Sequence, residues 1–111
     1  MDIAFRTPKL RKIFNSEKEL AREYGADQGR TIMRRMSVLR AANNLEEISP
    51  LPPERRHELA GDRNGQFAVD LKQPYRLIFE PNHDPVPLKK DGGYNLRQVT
   101  AITILGVKDY H

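Results

Sequence analysis

The sequence predicts an α+β fold, with N-terminal helices packed on a twisted, mainly antiparallel β-sheet. Three observations carry this. Apolar residues in the first half recur at helical spacing. Those in the second half alternate as in half-buried strands. Proline and glycine clusters separate the two patterns. With 111 residues and 38% hydrophobic content, residues 1–111 fit a single domain with one core.

Ile3 to Phe5 is short and suits an edge strand. Thr7-Pro8 reads as an N-cap followed by proline at the first helical position. Leu10, Ile13 and Phe14 then share one helical face. Ser16 and Glu19 fit a capping box, Leu20 and Tyr24 fall on one side, and Gly25 is a natural stop. Asp27 is placed to cap a third helix, from Gln28 to about Ala42, with Ile32, Met33, Met36 and Leu39 as its apolar stripe. Arg30, Arg34, Arg35 and Arg40 occupy the rest, which is the pattern of a solvated face more than of an RNA groove. Leu45 to Ile48 adds a turn, and Pro50, Pro52 and Pro53 form a link.

Arg56 to Leu59 reads as a short strand. Asn64-Gly65 signals a tight hairpin. Phe67, Val69 and Leu71 alternate with Ala68, Asp70 and Lys72 as in a half-buried strand. Tyr75, Leu77 and Phe79 alternate with Arg76, Ile78 and Glu80. Val99 to Val107 is apolar on both faces, which places it centrally or under helices. Residues 81–98, rich in proline and glycine, read as a long loop, a mobile spacer more than a functional element. The chain then ends on Asp109-Tyr110-His111, proton-handling groups directly after a core strand.

Several function classes lack support. There is no cysteine, hence no disulfide, thiolate metal site or cysteine nucleophile. His57, His83 and His111 have no metal-ligand spacing, and no cofactor is implied. Neither a phosphate-cradling glycine loop nor a serine nucleophile elbow is present. No apolar run reaches membrane-spanning length, and no signal-peptide core is visible, so a cytoplasmic protein without membrane contact is expected. The net charge of +4 permits an anionic partner such as RNA.

Metal-free RNA cleavage needs a base for the 2′-hydroxyl, an acid for the leaving 5′-oxygen, and cations for the charge on phosphorus. Candidates for each part lie in the strand half. His57 and the terminal Tyr110 and His111 can move protons. Arg76, beside Ile78 in a strand, either pairs with Glu80 or Asp70 or awaits a phosphate.

Three segments, taken in order, resemble the HigB-like toxins of the RelE/ParE toxin–antitoxin superfamily: His57-Glu58-Leu59-Ala60-Gly61-Asp62-Arg63-Asn64-Gly65-Gln66-Phe67, Pro74-Tyr75-Arg76-Leu77-Ile78-Phe79, and Asp109-Tyr110-His111. The resemblance implies a ribosome-dependent mRNA endoribonuclease that arrests growth. It also implies a cognate helix-turn-helix antitoxin and operator DNA contacted only through the toxin–antitoxin complex. Carried over by position, His57, Arg76, Asp109, Tyr110 and His111 would be catalytic, and Arg63, Lys72 and Lys108 would contact RNA or the ribosome. The family often has lysine before Gly-Asp-Arg; here that position is Ala60, so one expected cation is missing. The 81–98 segment looks like an insertion. Two other functions fit the same fold: a non-enzymatic gyrase poison of the ParE kind, and an inactive antitoxin-binding or corepressor module.

Overall fold

A computed structural model describes residues 1–109. Its elements run β1 (Asp2–Phe5), α1 (Pro8–Phe14), α2 (Glu17–Tyr24), α3 (Ala26–Ala41), β2 (His57–Glu58), β3 (Phe67–Asp70), β4 (Tyr75–Pro81) and β5 (Ala101–Asp109), with three short 3₁₀ turns between them. The α+β expectation is met by three helices lying on one five-stranded mixed sheet, of strand order β1-β5-β4-β3-β2. The run β2 to β5 is an antiparallel meander; β1 joins its far edge parallel to β5.

The helix starts follow the sequence signals. Thr7 Oγ1 accepts from the Leu10 N–H and Ser16 Oγ from the Glu19 N–H, each at 3.1 Å, which satisfies otherwise orphaned donors. Helix α3 departs from expectation. It starts after Gly25, two residues before Asp27 can cap it, and Asp27 instead pairs with Arg30 on the next turn. A side chain at Gly29 would meet the α2 backbone at 3.3 Å from Ala21 N, so glycine sets the close approach of α2 and α3. Ile32, Met36 and Leu39 are buried, but Met33 is exposed on the rim between α2 and α3.

The main core lies between the helices and one face of the sheet. Phe67, Val69, Leu77, Phe79, Ile102 and Ile104 meet Phe14, Leu20, Ile32, Met36 and Leu39 there. The opposite face carries a small second cluster of Leu59, Ala68 and Ile78 with Leu105 against it. Consequently β3 is buried on both faces, where one buried face was expected. Strand β5 lies inside the sheet between β1 and β4, in keeping with its apolar composition.

A bulge breaks β5. Ile78 pairs with Gly106 while Phe79 pairs with Ile104, leaving Leu105 as the extra residue. Gly106 has φ +142, a conformation that residues with a Cβ rarely adopt. The bulge shifts the alternation: Ile102 and Ile104 face the helices, and so does Val107, whereas Leu105 faces the second cluster.

The Asn64-Gly65 hairpin signal becomes a different turn. Asn64 (φ −55, ψ 134) and Gly65 (φ +90) centre a type II turn closed by Gln66 N–H to Arg63 O at 3.0 Å, inside a longer connection that also holds a 3₁₀ turn at Gly61–Arg63. The 81–98 segment is tied at several points, where a spacer was expected. His83 Nε2 accepts the N–H groups of Thr100 (3.0 Å) and Ala101 (3.3 Å). Leu88 bridges Tyr94, and the Tyr94 ring packs edge-on to Phe67.

Candidate active site

Cross-strand register sorts the candidate residues onto faces, because directly paired residues point the same way. His57 pairs with Ala68, Ala68 with Ile78, and Ile78 with Gly106. Two residues along, Asp70 pairs with Arg76 and Arg76 with Lys108. Both rows lie on the sheet face away from the helices. His57 and Arg76 sit two strands and one row apart, about 12 Å between Cα atoms from standard strand spacings, with the small Ala68 between them.

Asp70 stands at the β3 end of the second row and is buried at 7% exposure. An isolated buried carboxylate is costly, so its partners matter. Arg55 Nε donates to Oδ2 at 2.7 Å, and Arg76 Nε lies 3.7 Å from Oδ1. The Asp70 backbone is held too: its N–H donates to Glu54 O at 2.8 Å, and Arg35 Nε donates to its carbonyl at 2.7 Å. Arg35, expected on a solvated helix face, thus reaches across to the sheet. Two cations, Arg55 and Arg76, flank this carboxylate, and with Lys108 paired beside Arg76 the group is net positive.

Arg55 joins His57 to this group. Its φ of +47 is left-handed, a conformation that costs a residue with a Cβ about 1 kcal/mol. The turn it makes aims its side chain at Asp70 and its carbonyl at the imidazole: His57 Nδ1 lies 2.7 Å from Arg55 O. A carbonyl only accepts, so Nδ1 is the nitrogen that donates here, and Nε2 is the other ring nitrogen. Nε2 is buried and has no hydrogen-bond partner among the described residues. Next to it, Arg56 anchors the linker by donating from Nε to Ile48 O at 2.8 Å. Burial holds the Arg56 guanidinium below its ordinary pKa, with Glu46 pulling the other way.

The remaining candidates fall elsewhere. Asp109 pairs with Tyr75, which places it on the helix-side face, opposite to His57 and Arg76. Tyr110 and His111 lie outside the described residues. Arg63 stands in the β2–β3 connection and donates to Gln66 Oε1 at 3.2 Å. Lys72 sits against α3: its Nζ is 3.9 Å from Asp27 Oδ2, and its backbone exchanges two hydrogen bonds with the Gln28 amide. Ala60 is exposed at the start of the 3₁₀ turn.

Sequence reasoning weighed Asp70 only as one of two partners for Arg76, and it missed Arg55. A signal existed for Asp70, a charge inside the apolar run Phe67 to Leu71. None existed for Arg55, whose role depends on a backbone turn. A groove of about 590 Å³ lies on the other side, between α3 and the Pro53–Glu54 segment. Its cations are engaged locally, Arg34 with Thr31, Arg35 with the Asp70 carbonyl and Lys72 with Asp27, and the His57, Arg76 and Lys108 side chains lie on the other face. Among the described residues, no group of three or more His, Cys, Asp or Glu is placed to hold a metal ion. No protein-family model and no curated protein matches the chain.

Proposed function

We propose that this protein is a toxin of a toxin–antitoxin pair that cuts mRNA on the ribosome by metal-free acid–base chemistry. One observation carries the reading: His57 and the Asp70–Arg76–Lys108 row share one sheet face, and Arg55 ties them together, its carbonyl on His57 Nδ1 and its guanidinium on Asp70. In the proposed reaction His57 Nε2, which is covered in this structure and must be uncovered as RNA binds, takes the proton of a ribose 2′-hydroxyl. That oxygen attacks the adjacent phosphorus and the bond to the 5′-oxygen breaks, leaving a 2′,3′-cyclic phosphate and, once protonated, a 5′-hydroxyl. Arg76, Arg55 and Lys108 would stabilise the charge building on the phosphoryl oxygens. The resemblance implies that Asp109, Tyr110 and His111 form a terminal catalytic set, without dividing the acid and base roles among them. Arg55 offers a cation from a position outside the family motif, which bears on the absent lysine at Ala60. Antitoxin binding, ribosome entry and growth arrest follow from the resemblance alone.

In a translating extract the purified protein should cut mRNA. His57→Ala and Arg76→Ala should each cut about 100-fold less while keeping the wild-type circular dichroism spectrum. Equal cutting by all three proteins would sink this assignment. Inhibition of gyrase supercoiling without mRNA cleavage would move the reading to the gyrase poison.

A further inference from the structure

The outer edge of β1 is open, and its sequence is complementary to itself. Asp2 N–H donates to Thr100 O and Arg6 N–H to Ile104 O, each at 3.0 Å. In a parallel ladder the residues bonded to the neighbour alternate with residues facing away. Ile3 and Phe5 therefore direct their N–H and C=O groups outward. Beside them runs a groove of about 340 Å³ lined by Ile3, Ala4, Phe5, Thr7, Pro8 and Arg11. Asp2 and Arg6 are exposed, and neither side chain has an ion pair among the described residues.

We propose that this edge is a two-fold interface between copies of this chain. In antiparallel pairing about Ala4, Ile3 lies opposite Phe5 of the second copy, and the outward groups of both chains form four hydrogen bonds. On the helix-side face, Ile3 meets the second copy's Phe5. On the opposite face, Asp2 meets Arg6 of the second copy, twice by symmetry. Pairing about Ile3 or about Phe5 loses the charge match, so the sequence selects this register. The contact is isologous and closed, joining two five-stranded sheets into one of ten strands. It also covers an edge that would otherwise invite uncontrolled pairing. The proposal is independent of the nuclease reading.

Sedimentation velocity from micromolar to millimolar protein should show a reversible dimer. Arg6→Asp places like charges opposite and should weaken association about tenfold. Asp2→Arg with Arg6→Asp should restore it. A wild-type chain that stays monomeric throughout, or a double variant as weak as the single one, would overturn the interface. Because the chain has no cysteine, Ala4→Cys gives a clean second test. Ala4 would face its own copy in a non-hydrogen-bonded pair, close enough for a disulfide. Mild oxidation should cross-link it, and should leave an exposed control, Asp62→Cys, without a covalent cross-link. Equal cross-linking of both variants counts against the register.

Discussion

The two faces of this sheet are made by the same strands and do opposite work. On the helix side, Phe67, Val69, Leu77 and Phe79 are buried in one large cluster with the three helices. On the other side, the same strands offer Ala68 and Ile78 to a small cluster, and then Asp70 and Arg76 to a charged row. Burial on the first face is apolar and redundant. Burial on the second combines a small apolar cluster with a few polar contacts, such as Arg55 on Asp70. A fold organised in this way can vary one face without losing the other.

Substitutions should separate the faces. The largest expected loss of stability is on the helix side. Phe79 is fully buried and stacked on Phe67 at 6.2 Å. Phe79→Ala should cost about 3–5 kcal/mol by removing transfer energy and leaving a cavity, read as a lower urea midpoint. A loss within experimental error would show that the helix-side core is not what holds the sheet.

A smaller change should come from the charged row. Asp70→Asn keeps the shape and removes the charge that Arg55 and Arg76 share. A loss of about 1–2 kcal/mol is expected, since one charge-assisted hydrogen bond goes and Arg55 can turn to water. The same variant should cleave less in the extract, because Arg76 loses its positioning contact. A stability loss with full cleavage would make Asp70 purely structural.

The smallest effect is a pH dependence on the helix side. Burial, and then the neighbouring Glu23, raise the Tyr24 pKa above its ordinary 10.0. The neutral phenol is therefore favoured more in the folded state than in the unfolded one. This contribution is fully present below the unfolded value and is lost as pH rises through the folded one. Tyr24→Phe should accordingly flatten the alkaline end of the stability profile and leave neutral pH nearly unchanged. An unaltered alkaline limb would mean that other groups govern it.

Much of this organisation could be read from local signals. Thr7-Pro8 and Ser16 began the first two helices because their caps are made by near neighbours. The alternation of Tyr75 to Glu80 assigned Arg76 to the face of Ile78 correctly. Signals with long-range causes failed. Asp27 was displaced as a cap because Gly25 could start α3 earlier, bringing Gly29 against α2. Asn64-Gly65 marked a turn, but the 3₁₀ turn before it decided which kind. Strict alternation from Ile102 would have turned Lys108 toward the helices; the bulge places it beside Arg76 instead. Arg55 entered the site through a left-handed backbone turn that its residue type does not announce.

The bulge at Leu105–Gly106 also bears on how this chain tolerates changes in length. The ladder resumes beyond it with Val107 opposite Leu77 and Lys108 opposite Arg76. A strand one residue shorter at Gly106 would close into a regular ladder with the same side chains on the same faces. Loss of a residue here is thus a milder event than the arrival of a branched side chain at φ +142. In this strand an indel can be silent where a substitution is not.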